Sequence, residues 1–295
     1  MSATPPVTPG GVGEGSISLI MDWLDTADAL GRPVRLTAPP RRVVSLVPSQ
    51  TELLADLGLD DEVVGLTRFC VHPAGWKAAK TIVGGTKNVD IERVRRLAPD
   101  LVIANKEENV REQVEAIAAF APVYVTDVAD VAGAVAMIRE VGALVGRADR
   151  AGRLADKVDA GFAELATPPG PTPRALYLIW RDPWMAVGGD TFISDVLERG
   201  GWTNATAACD RYPALSDAEV RALAPDVVLL SSEPYPFREA HVAEVQALVP
   251  DAQVALADGE AFSWYGSRLR RTPGVLRSLR WGGREATGGA ETRLR

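Results

Sequence analysis

Cysteine, histidine and long apolar runs are all scarce in this chain, and each scarcity excludes something. Of 295 residues only two are cysteine, Cys70 and Cys209, and only two are histidine, His72 and His241. A disulfide-stapled scaffold needs several bridges, so that class is excluded, while a single bridge stays open. Cys70-Val-His72 is the only close Cys/His pair, and Cys-x-His has no diagnostic ligand spacing. Its residues are expected to pack a turn, and His241 to sit on a surface helix; contact of any of the three with a metal is the alternative. No apolar run approaches the roughly 18–20 residues of a membrane span. Enzyme signatures are missing too: there is no G-x-S-x-G, no H-E-x-x-H, no P-loop and no G-x-G-x-x-G after a strand. The first fifteen residues, MSATPPVTPGGVGEG, lack a basic start, an apolar core and a cleavage or lipid-attachment cysteine. The expected location is therefore cytoplasmic, or periplasmic or extracellular if a signal has been removed.

What is present is ordinary globular usage, 46% hydrophobic and 24% charged, which excludes a largely disordered or fibrous chain. Lys and Arg number 32 against 39 Asp and Glu, a formal charge of −7. That balance argues against a surface built for nucleic acid or anionic lipid. A monomer is expected, without nucleic-acid partner or membrane insertion. The length allows one large domain or two of about 100–150 residues.

Short β-branched runs alternate with helical patterns. Residues 42–47, 101–104 and 123–125 read as buried strands, with helices over 51–57 and 110–120. The last two strands and their helix form a βαβ unit, hence a parallel sheet. A hairpin turned at Gly31 precedes them. Residues 131–166 carry no strand signal and no proline, so one long linking helix is expected, with Gly146-Arg-Ala-Asp149 as its weak point. Thr167-Pro-Pro-Gly-Pro-Thr-Pro173 then ends it. A second series follows, with strands at 175–179, 227–230 and 254–256 and helices at 193–198, 217–223 and 239–248. The two series are related: at an offset of 126, DIERVRRLAPDLVI (90–103) lies over SDAEVRALAPDVVL (216–229). The division expected is a flexible lead (1–15), an N-terminal α/β lobe (16–130), a linker helix (131–166), a C-terminal α/β lobe (167–281) and a flexible tail (282–295).

Two such lobes create a cleft where the carboxyl ends of both sheets face each other, and ligands of open α/β sheets bind outside those ends. The loops that follow the strands are rich in aromatic and polar residues. Trp180, Trp184, Tyr235, Phe237, Trp264 and Tyr265 are expected as walls, with Asn105, Glu107, Arg181 and Glu233 as polar contacts. Exposed tryptophan beside Arg and Asp suits a flat or greasy ligand. The same rings could instead fill the seam between lobes. Glu107 and Glu108 could equally start a helix, and Arg181 could pair with Asp182.

The chain from about Asp28 to Leu279 resembles the class III solute-binding proteins of ABC importers, the helical-backbone metal-receptor fold. The resemblance rests on DALGRPVRL, RRVVSLVPSQTELLADLGL, NVDIERVRRLAPDLVI, the linking helix, GGDTFISDVLERGGWTN and PALSDAEVRALAPDVVLL. The loops ANKEEN, WRDPW, EPYPF and SWYG look most like the cobalamin-binding branch and its signal-less relatives. The resemblance implies two Rossmann-like lobes with little hinge motion around a shallow cleft. It also implies a non-catalytic binding protein for a corrinoid, haem or a ferric siderophore, with no intrinsic cofactor. An enzyme that has reused the fold is the alternative. Family members dock on a permease through one surface glutamate per lobe; Glu92 is the first-lobe match, but Ala218 stands at the second. Where the cobalamin receptors place aromatics, this chain has Thr86, Asn105 and Tyr212, and only Trp264 approximates such a ring.

Overall fold

The computed structural model describes residues 23–165 and 171–282; the expected lead at 1–15 and all but the first residue of the expected tail at 282–295 lie outside them. A hairpin of β1 (Leu24–Ala27) and β2 (Pro33–Leu36) opens the first lobe. Its turn is closed by Asp28, whose carboxylate accepts from the backbone N–H of Leu30 and Arg32 and pairs with the Arg32 guanidinium at 2.7 Å. Gly31, at φ +74°, supplies the left-handed residue the turn requires.

The first sheet follows: β3 (Val43–Ser45), α1 (Pro48–Asp56), β4 (Val63–Leu66), α2 (Trp76–Ala79), β5 (Thr81–Ile82), α3 (Ile91–Arg96), β6 (Leu101–Asn105), α4 (Arg111–Ala118) and β7 (Val123–Thr126). All five strands are parallel, in the order β5-β4-β3-β6-β7. β3, β6 and β7 are buried throughout, as strands covered on both faces must be. Because the chain steps outward in both directions from β3, the loops after β3 and β6 diverge there and leave a crevice at their carboxyl ends.

The segment expected as one linking helix is two, α5 (Val131–Leu144) and α6 (Ala148–Ala163). The break falls at the expected weak point. Gly146 is left-handed at φ +68°, with Gly146 N–H donating to Ala143 O and Arg147 N–H to Gly142 O, a Schellman stop. The helices then fold back on each other: Arg139 pairs with Asp156 at 2.7 Å, and Gly142 lies directly against Ala151. The connection between lobes is thus made by α6, braced by α5.

The second lobe comprises β8 (Arg174–Trp180), β9 (Trp184–Ala186), α7 (Phe192–Arg199), β10 (Thr203–Asn204), β11 (Ala214–Leu215), α8 (Asp217–Leu223), β12 (Val227–Ser231), α9 (Glu239–Leu248), β13 (Gln253–Ala257) and α10 (Gly259–Ser263). A 3-10 turn (Ser267–Arg270) and α11 (Thr272–Gly282) close the chain. The sheet order is β11-β9-β8-β12-β13, with β10 also beside β8. β9 runs antiparallel to β8, so Arg181–Pro183 is a tight hairpin rather than a long strand-end loop.

The duplication reaches into backbone detail. Ala98 and Ala224, 126 apart, are both left-handed at φ +44° and +43°. The aspartates that follow, Asp100 and Asp226, both accept from backbone N–H at the start of the first strand, in chain order, of their lobe's main sheet: Asp100 from Arg41 and Arg42 ahead of β3, Asp226 from Arg174 of β8. One hydrophobic core runs from Val43 and Leu53 through Ile138 and Val158 to Tyr177 and Tyr265, joining both lobes.

Candidate functional site

The carboxyl ends of the two sheets meet. From the first lobe comes the loop after β6. Asn105, only 2% exposed, shapes it: its Oδ1 accepts from Glu107 and Glu108 N–H at 2.8 and 3.0 Å, and its Nδ2 donates to Thr126. All of its bonding is spent inside the lobe, so the expected ligand contact at Asn105 is replaced by a positioning role. The loop it shapes presents Glu107 and Glu108. Glu107 reaches the other lobe, accepting from the Tyr212 hydroxyl at 2.9 Å and pairing with Arg211.

Glu108 has no hydrogen-bond donor among the described residues. Burial pushes its carboxyl up; Lys87 opposes this, and the charges of Glu107 and, from the second lobe, Glu233 add to it. Glu233 follows β12, and its Oε1 accepts from Ser263 Oγ and Trp264 Nε1, both at 2.8 Å. Burial raises its carboxyl too, in spite of those two bonds. Tyr265 is held well above the usual phenol range, first by burial and then by the charges of Glu108 and Glu107. Contacts across the lobes are thus made by Glu107 with Arg211 and Tyr212, whereas Trp264 and Tyr265, 8% and 7% exposed, are not open walls: Trp264 is fixed on Glu233, and Tyr265 packs edge-on to Phe192 in the shared core.

The other expected walls divide. Trp180 stays 40% exposed at the end of β8, its ring edge-on to Tyr235 at 5.6 Å. Trp184 and Phe237 do not line the cleft: they are 7% and 5% exposed, stacked at 6.4 Å, and belong to the interior of the second lobe. The Trp184 indole N–H is satisfied by Asp217 at 2.8 Å. Tyr235 is half-buried against the same cluster, its hydroxyl 3.2 Å from His241 Nε2. Arg181 turns away to α9, where Glu244 takes it in a forked pair and Asp182 joins. Trp180 and Trp184 part between rim and interior because a hairpin, not an open loop, carries them. Phe69, beyond β4, was missed as an individual residue; it is 53% exposed, and the only signal for it was a ring beside Arg68 after a strand.

The Cys/His residues are occupied locally. The Cys70 thiol is buried between Thr51 and Thr67 hydroxyls at 3.0 and 3.2 Å, and burial raises it. His72 Nε2 lies 3.1 Å from Glu260 of the second lobe. His241 Nδ1 accepts from Arg238 N–H at 2.9 Å, so with the Tyr235 hydroxyl on Nε2 neither nitrogen is free for the metal contact named as the alternative above. No group of three or more His, Cys, Asp or Glu able to hold a metal occurs among the described residues. On the outer surface Glu92 and Ala218 occupy the same second helical position of α3 and α8. Ser216 and Glu219 make the reciprocal capping box that their spacing predicts, so Glu219 is committed to its own helix.

The sequence model of the family described as "Periplasmic binding protein" matches residues 43–252. The chain belongs to this family. Among its relatives an ABC transporter substrate-binding lipoprotein of Bacillus subtilis strain 168, YvrC, is 27% identical over 213 residues, 68% of this chain and 67% of that one. A vitamin B12-binding protein of Photorhabdus laumondii is 24% identical over 224 residues, covering 72% and 81%. The apo structure of the periplasmic haem-binding protein RhuT of Roseiflexus sp. RS-1 superposes with a TM-score of 0.70 at 25% identity, over 81% of this chain and 96% of that one. The two-lobe periplasmic-binding-protein architecture expected above is thus the fold of this chain.

Proposed function

We propose that this protein is a binding protein of the ABC-importer type that takes a flat metal chelate, a corrinoid first of all, between its lobes. The observation that carries this is a pair of large rings left open to solvent: Phe69 at 53% and Trp180 at 40%. Each stands at the carboxyl end of a strand, one in each lobe, where the fold places ligands. Leaving such rings in water is unfavourable by about 25 cal/mol per Å² of apolar surface, and a flat macrocycle would cover them. The names of the relatives, which include a B12-binding and a haem-binding protein, support the chelate class. If a permease is engaged, Glu92 offers the first lobe a docking carboxylate, while Ala218 offers the second none.

The test is a titration of purified protein with a cobalamin, haem and a ferric siderophore, followed by tryptophan fluorescence. Saturable quenching by one of them at micromolar concentration is expected. A folded protein that binds none of the three sinks the proposal.

A further inference from the structure

The first-lobe wall of the cleft is one continuous surface. The Phe69 ring lies against Gly85, where a Cβ would stand 3.2 Å from it. Asn109 donates to Thr86 O at 3.1 Å, and the Lys87 ammonium donates to Glu107 O at 2.5 Å. The loops after β4, β5 and β6 are thereby tied together, with Phe69 at one end and Glu107 at the other. From the second lobe Arg211 and Tyr212 close on Glu107, the guanidinium as an ion pair and the hydroxyl as a donor at 2.9 Å. The strap that carries them is built in place. Arg211 is left-handed at φ +56°, its N–H donates to Asp190 at 2.6 Å, and its carbonyl accepts from Gly188 N–H at 2.7 Å. Gly188 and Gly189 pass so close to the backbone of 207–211 that no Cβ fits at either. A strained residue held on both its N–H and its carbonyl is in a conformation that the surrounding fold enforces.

We propose that Arg211 and Tyr212 latch onto Glu107 to close the cleft between binding events, and that a chelate enters when these side chains, not the lobes, swing aside. This rests on the chelate-binding reading above and adds the way in. A flat ring seated on Phe69 and reaching the second lobe must pass the Glu107 bridge. The lobes are held against parting, because Arg268 of the second lobe is forked on Glu52 of the first at 2.8 and 2.9 Å and both residues are buried. The latch is easier to open: the Arg211 and Glu107 side chains are 54% and 40% exposed, and an exposed ion pair contributes little. The strap stays fixed while its side chains turn. The latched form is thus a built-in competitor, which weakens apparent affinity in proportion to the fraction of molecules that are open.

The experiment is stopped-flow tryptophan quenching by cyanocobalamin, haem and ferrichrome, each in excess over the full chain, so that the observed rate does not depend on the folded fraction. For each ligand that binds, Arg211→Gln combined with Tyr212→Phe should raise the association rate constant about threefold to tenfold and leave the dissociation rate unchanged. Glu107→Arg, which sets two cations against each other, should do the same. Glu107→Arg combined with Arg211→Glu rebuilds the pair in reverse and should slow entry again, close to the wild-type rate. A pair that served only as a ligand contact would not be restored by exchanging its charges. An association rate unchanged without the latch, a loss of affinity carried by faster dissociation, or a reversed pair that stays fast overturns the inference and leaves the chelate-binding reading standing. A folded chain that binds none of the three ligands overturns both.

Discussion

Trp180 and Trp184 lie four residues apart and do different things. Trp180 is at the rim, 40% exposed with Tyr235 edge-on to it, whereas Trp184 is enclosed by Phe237 and anchored on Asp217. Trp180→Ala should therefore weaken chelate binding about tenfold, near the 1.4 kcal/mol of a tenfold change, with an unchanged denaturation midpoint. Trp184→Ala should cost about 3–5 kcal/mol of stability in a denaturant titration. Sequence could not separate the two, since both are aromatics near the end of one strand, and the residue that decides their fate is Asp217, thirty-three positions away. For the same reason Asn105 read as a ligand contact: its partner Thr126 lies on the next strand. Titration offers a second check at this scale. Burial holds the Glu108 carboxyl above its ordinary value of 4.5. In the window between those two values the native state binds more protons than the unfolded one, so stability falls as pH rises through it. Glu108→Gln should raise the thermal midpoint at pH 7–8, with the gain fading as pH falls through that window and gone below about pH 4.5, where both states are protonated. A midpoint that drops at neutral pH instead would mean the carboxylate is paired in the native state.

Elements were more legible than residues, because burial on both faces leaves a run such as Leu101–Asn105 that chemistry alone marks as a parallel strand. The helices at 217–223 and 239–248 were legible for the complementary reason, a Ser216 cap and a proline-free apolar spacing. β9, β10 and β11 were not, since strands of two or three residues carry no periodicity. The linker is the instructive case. Its composition fits a helix all the way, and it is Gly146, the contact of Gly142 with Ala151 and the Arg139–Asp156 pair that show it folding back. Gly142→Ala tests this. In an isolated helix that change stabilises by about 1 kcal/mol. Here the added methyl would collide with the Ala151 side chain, so a loss of about 1–3 kcal/mol is expected from forcing the helices apart. A gain in the denaturation midpoint would show that the two helices do not pack as described.

At the scale of the whole molecule the question is whether the lobes move. Three polar links from α1 and the loop after β4 to the second lobe argue that they do not. Arg268, 9% exposed in its side chain, forks onto Glu52 at 2.8 and 2.9 Å and also pairs with Glu260. Glu260 in turn holds His72, and Asp56 pairs with Arg270 at 2.6 Å. Beside them the backbone of Gly266 runs so close to Ser49 O that a Cβ would crowd it. The continuous core through α5 and α6 lies behind the same junction. Opening the cleft would have to strip a buried guanidinium of its carboxylates, which costs far more than an exposed pair would. Ligand binding should accordingly leave the radius of gyration in solution scattering unchanged within about 1 Å, as in a preorganised complex. Arg268→Met should cost about 3–5 kcal/mol, because Glu52 is then left buried without its partner. Adding Glu52→Gln should recover much of that loss, since the stranded charge is removed along with its cation. If the single substitution were neutral, or scattering showed the lobes closing on the ligand by several ångströms, the junction would be a hinge and not a brace.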